Sequence, residues 1–130
     1  MTDKKFFIKF VTDPAVDQFK SGVGLGCAAQ AINDGYFVNV FFAAAAVQLI
    51  HKGYVKGIAA SLNAPEGMFE GFLETIIEGA NGIYCSTQSQ MVFGVSPDSQ
   101  EDLVDGIDLH WSGPDGVVSL ASESDVILVY

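Results

Sequence analysis

The run Phe37-Val38-Asn39-Val40-Phe41-Phe42, apolar but for its asparagine, constrains the fold more than any other stretch of the chain. It lacks the alternation of a strand with one wet face, so it suits a strand covered on both faces of a largely parallel sheet. Such a strand needs helices above and below it, and the flanking sequence supplies them. From Phe19 to Asn33, Val23, Leu25, Cys27, Ala28, Ala31 and Ile32 follow helical spacing, and Gly35 ends the pattern as a C-terminal glycine does. Phe6 to Val11 mixes aromatic and β-branched residues and stops at Thr12-Asp13-Pro14, which predicts an edge or near-edge first strand. Asp13 or Asp17 can cap the helix that follows.

Downstream the alternation continues. The alanines after Phe42, with Val47-Gln48-Leu49-Ile50, predict a short helix closed near Gly53, with His51 as a capping residue at its end. Gly53 to Leu62 has no strong pattern and is expected to loop. Behind Asn63-Ala64-Pro65-Glu66, which resembles a capping arrangement, Met68, Phe69, Phe72, Leu73, Ile76 and Ile77 line one helix face and Glu70, Glu74 and Glu78 the other. Those glutamates have no histidines nearby and read as a solvated face rather than metal ligands. Ile83-Tyr84-Cys85 is a short third strand, and Met91 to Gly94 a helical turn or a buried loop. Ser96-Pro97-Asp98 starts another short helix. Ile107 to Trp111 is a fourth strand, Asp115 to Ser122 a last helix and Val126 to Val129 a closing strand. Strands alternating with helices predict one α/β domain over residues 1–130, a largely parallel sheet with helices on both sides.

Charge limits the partners. All six basic residues are lysines, and none lies after Lys56. Six lysines face four acids before Gly57 (+2), and twelve acids stand with no cation from Gly57 onward (−12), which together make the net charge of −10. Nucleic-acid binding, which needs cations for phosphates, is not expected. The longest greasy run, Tyr36 to Ile50, is broken by Asn39 and Gln48 and falls short of the ~20 residues of a membrane helix, so no membrane span is expected either. With 49% hydrophobic residues, some apolar surface is expected to be buried between subunits. Met1 to Val11 has no secretory pattern, and Cys27 and Cys85 have neither metal-finger nor CxxC spacing, which fits a reducing cytoplasm and no resident cofactor.

Two features invite chemistry. Gly24-x-Gly26-x-x-Ala29 satisfies a loose dinucleotide fingerprint, but too many residues separate it from the first strand, so close packing of a glycine-rich helix on its sheet is expected instead. Cys85 stands at the end of the third strand, just where the chain turns small and polar, and ligands gather outside the carboxyl ends of such strands. A thiolate there, helped by the amide dipoles of a following helix, can attack a persulfide and pass its sulfur on. Free cysteine is also among the most buried residue types, and packing alone explains it equally well. Tyr84, Ser86, Thr87 and Gln88 are candidates to line a small pocket beside the thiol, with His110 at the same sheet edge. Cys27, in a helix face, reads as structural.

The strand ending Thr12-Asp13-Pro14, the helix closing with Asp34-Gly35, the strand Phe37–Phe42, Gly82-Ile83-Tyr84-Cys85 followed by Gly94 and Gly106-Ile107, and the final Ser124-Asp125-Val126-Ile127-Leu128-Val129-Tyr130 together resemble the DsrE/DsrF-like (YchN-like) family. That resemblance spans nearly the whole chain and rests on the order and spacing of short motifs. It implies a three-layer α/β/α sandwich with a mostly parallel five-stranded sheet, a homotrimer or homohexamer, and Cys85 as a carrier of persulfide sulfur between donor and acceptor proteins or small thiols. The alternative is a non-catalytic small-molecule or partner-binding oligomeric subunit of the same fold. Whether the chain is an enzyme stays open, because no triad, metal cluster or phosphate loop stands out.

Overall fold

The computed structural model describes residues 3–89 and 93–130. Five strands form one sheet: β1 (Lys5–Phe10), β2 (Phe37–Phe42), β3 (Gly82–Ser86), β4 (Leu109–Ser112) and β5 (Val126–Val129). Their spatial order is β4-β3-β2-β1-β5, and every neighbouring pair is parallel. The main helices are α1 (Gln18–Asn33), α2 (Tyr54–Ser61), α3 (Met68–Gly79) and α4 (Pro114–Ser122), with 3-10 helices at Ala44–Ile50 and Pro97–Asp102.

Handedness sorts these elements into layers. The chain steps from β1 to β2, β3 and β4 in one direction, and right-handed crossovers then put every connection on one face of the sheet. From β4 it returns across three strands to β5, so α4 must lie on the opposite face. The result is a three-layer α/β/α sandwich with unequal outer layers.

Strand alternation assigns the side chains. Ile8, Phe10, Val38, Val40, Phe42, Ile83 and Cys85 share one core with Leu25 and Ala28 of α1, Val55 and Ile58 of α2, and Phe69, Leu73 and Ile76 of α3. On the other face a rung of side chains crosses the whole sheet: Val129, Lys9, Phe41, Tyr84 and His110 stand side by side in register. Phe41 stacks on Tyr84 with ring centroids 6.0 Å apart, and Tyr84 meets the His110 ring at 5.1 Å. Among the described residues only α4 covers this face, and no α4 residue is fully buried.

The helix α1 packs through its glycines. A Cβ on Gly24 would lie 2.6 Å from the Phe10 ring and 2.8 Å from that of Tyr130, and one on Gly22 would lie 2.8 Å from Phe69. The glycines therefore let α1 sit close on β1, β5 and α3, as the sequence led us to expect. Two other expectations change. Residues 54–61 form α2 rather than a loop, because Val55, Ile58 and Ala59 supply a short buried stripe that a window of ten residues with two glycines hid. The start of α3 is not capped by Asn63; Gly67, at φ 80°, turns the chain into the helix instead. The expectation for Met91 to Gly94 falls largely on residues 90–92, outside the described ones.

Replacing Gly24 by alanine is expected to lower stability by roughly 1–3 kcal/mol, since overpacking outweighs the better helix propensity. Gly57→Ala, at an exposed position of α2 with no atom within 4 Å of the added methyl, should instead stabilise by ~0.5–1 kcal/mol. Urea titrations of the two variants check both signs.

Candidate functional site

The loops leaving β3 and β4 go to opposite faces of the sheet, which makes the gap outside their carboxyl ends the topological switch point, where open α/β sheets bind ligands. The Thr87 N–H donates to the Ser112 carbonyl at 3.1 Å and ties the two loops together there. Beside this tie, between the carboxyl ends of the strands and α4, lies a crevice of about 500 Å³. Its apolar walls include Val11, Phe41, Phe93, Pro114, Val117 and Val118, and its polar side chains are Lys9, Ser86, Gln88 and Ser89.

The side chains that the sequence nominated divide between two places. Ser86 and Gln88 line the crevice. Tyr84 lies on the same face one alternation back, within the aromatic rung, and His110 is exposed beside it on the edge strand. Thr87 is half-buried, close to Gly113 at the start of α4. Cys85 is on the other side of the sheet: it is 0% exposed and belongs to the core under the three-helix layer. Burial pushes its thiol up to about 12, and the Ser86 N–H lowers it only in part. Period-two alternation makes this division unavoidable, since Tyr84 and Ser86 cannot share a face with Cys85.

Cys27 is the more open of the two free thiols, half-buried on α1. The Cys27 side chain beside Tyr130, together with burial, pushes that phenol up to about 12. His51 ends the first 3-10 helix, its Nε2 3.0 Å from the Phe93 carbonyl oxygen.

Sequence reasoning missed Lys9, Ser89 and the Ala43-Ala44 corner. Lys9 was legible in Lys5-Phe6-Phe7-Ile8-Lys9-Phe10, where alternation puts Lys9 opposite Phe10, but its place in the crevice needed the strand order. Ala44 is held at φ 52°, in the left-handed region that costs a side chain roughly 1–2 kcal/mol. Backbone strain of that kind gathers at functional sites. Ala44 lines the crevice.

A larger groove, about 690 Å³, runs between α3 and the segment Val104–Gly106. It lies away from the strand ends, and its rim of Glu70, Glu74 and Glu78 is exposed. Lys52 on its far wall is paired with Asp105 at 3.5 Å. No group of three or more His, Cys, Asp and Glu side chains placed to hold a metal ion occurs among the described residues, and no helix there is long and apolar enough to cross a membrane.

No protein-family model and no curated protein matches the chain. Solved structures do. The YchN protein from E. coli is similar over 98% of this chain and 99% of its own, with a TM-score of 0.63 at 15% identity. A conserved protein of unknown function from Bacteroides thetaiotaomicron, BT1422, is similar over 98% of this chain and 95% of its own, with a TM-score of 0.59 at 17% identity. Layers, strand order and these full-length likenesses together establish that the chain has the DsrE/YchN-like α/β fold.

Proposed function

We propose that this chain is a non-catalytic small-molecule-binding subunit that uses the crevice between the strand ends and α4. The observation that carries this reading is the division at the end of β3, where Ser86 faces the crevice while Cys85 is sealed in the core. Three features support it. The crevice has the size of a small-molecule site and apolar walls with a few polar groups. It sits at the switch point, and strained Ala44 forms part of its wall.

Sulfur relay through Cys85, the reading that the family resemblance suggests, asks for a thiolate that a donor persulfide can reach. In this fold Cys85 has neither exposure nor a lowered pKa. Relay would require the helical layer over β3 to open, and nothing in the packing of Phe42, Val95 and Leu103 around that core favours such an opening.

The proposal includes self-association, as a homotrimer or homohexamer. Along β5 and α4, Ile127 is 50% exposed, Val129 53% and Val118 67%. Edge strands with apolar outward residues invite pairing or cover, and a second copy provides it. Light scattering at micromolar concentration is expected to give a mass above that of one chain; a monomer would remove this part of the reading.

Alkylation with iodoacetamide followed by peptide mass spectrometry tests the thiol. Cys27 should be labelled first in the native protein, Cys85 only in urea, and a persulfide donor should leave no added sulfur on Cys85. Native labelling of Cys85 with one transferred sulfur would restore the relay reading and sink ours. Alkaline pH offers an independent check. An unfolded chain loses the thiol proton near 9.0 and the folded one near 12, so the stability held by the neutral thiol is whole below pH 9 and is lost as pH rises toward 12. The loss approaches ~1.4 kcal/mol per pH unit. Between pH 9 and 10.5 the wild type should therefore lose roughly 2 kcal/mol more than Cys85→Ala in urea titrations; parallel profiles would mean that the thiol is not sealed.

A further inference from the structure

Lys9 is out of place in an ordinary sheet. It stands in β1, with β2 on one side and β5 on the other, half-buried, and its neighbours in register are Phe41 and Val129. Lysines inside sheets are uncommon, and those that are drawn under cover are normally paired with an acid. Among the described residues the one ion pair joins Lys52 to Asp105. Lys9 therefore has no carboxylate partner, in a chain with 16 acids and only six lysines.

The acids are distributed in a way that makes this meaningful. The groove along α3 is lined by Glu70, Glu74, Glu78 and Asp105, and a small pocket near α2 sets Lys56 beside Glu66. Among the described residues that line the crevice at the strand ends there is no acidic side chain, and the one charged side chain is that of Lys9. A cation with hydroxyl and amide groups of Ser86, Ser89 and Gln88 at one end, and Phe41, Phe93, Val117 and Val118 along the walls, matches one ligand chemistry.

Building on the crevice as a binding site, we infer that its ligand is a small organic anion, an apolar body carrying a carboxylate or a sulfonate, held by the Lys9 ammonium. The net charge of −10 disfavours anions over most of the surface, so a local cation inside an apolar crevice supplies selectivity as well as affinity. The apolar body supplies what an inorganic anion lacks, contact with the crevice walls.

A matched pair of probes separates charge from shape. We would titrate 2-naphthoate and its neutral isostere 2-naphthamide into ¹⁵N-labelled protein and follow the amides of Ser86, Gln88, Gly113 and Val117. The naphthoate should shift these amides and bind about tenfold tighter than the amide, which corresponds to ~1.4 kcal/mol. Lys9→Met should abolish that preference, Lys9→Arg should keep it, and Lys20→Met, on exposed α1, should leave it unchanged. Equal affinity for the two probes in the wild type would overturn the anion inference and leave the binding site standing. No shift of these amides with either probe would overturn both. A preference retained in Lys9→Met would overturn the role of Lys9, and because the wild-type comparison needs no variant, loss of folding in Lys9→Met does not protect the inference.

Discussion

A strand buried on both faces has to sort its residues strictly in alternation, and this constraint organises the whole protein. In β2 every residue after Phe37 is buried, so each position commits to one layer or the other with no wet side to absorb an error. The neighbouring strands inherit the sorting through the parallel register. Phe10 stacks on Phe42 with centroids 5.1 Å apart in one layer, while Phe7 meets Phe41 edge-on at 6.3 Å in the other. Asn39, the one polar residue in the run, is 8% exposed and accepts a hydrogen bond from Asn81 Nδ2 at 3.1 Å. It is thereby satisfied, as a buried amide must be.

The two layers are unequal for a topological reason. Among the described residues, three consecutive crossovers crowd α1, α2, α3 and the two 3-10 helices onto one face, and a single return leaves the nine residues of α4 for the other. Glycines press α1 down on the crowded side, where a side chain at Gly24 would collide with Phe10 and Tyr130. On the sparse side the cover is incomplete. The crevice and the exposed apolar edge along β5 are both consequences of that shortfall, one open to a small ligand and the other to a large partner.

Much of this was readable in advance, and the exceptions share a cause. β2 and β5 fall on the predicted residues, and α1, α3 and α4 within a residue or two, because long apolar periodicity and glycine or proline punctuation are local signals. The helix α2 was hidden because its buried stripe is only Val55, Ile58 and Ala59, too short to rise above two glycines. Ser86 and Gln88, which line the crevice, were nominated from composition, since a polar turn after an apolar strand is a local feature. Lys9 was not, because its meaning depends on which strand lies beside β1, and that is fixed by a return crossover more than a hundred residues away in sequence. Cys85 illustrates the converse. Its position at a strand end drew attention to it, while the parity of the strand, equally present in the sequence, already placed it opposite Ser86.

The charge distribution follows from the same geometry. The acids after Gly57 fall at Glu66 ahead of α3, on the outer face of α3, on the segment from Asp98 to Asp108 and around α4, all surface positions where a carboxylate keeps its water. Lys9 is different: half-buried in β1 between Phe41 and Val129, it lines the gap left beside α4. Filling that gap with a longer helix would have covered the sheet and stranded the ammonium. The short α4 and the half-buried lysine therefore suit each other, and the space between them is where the proposed anion would sit.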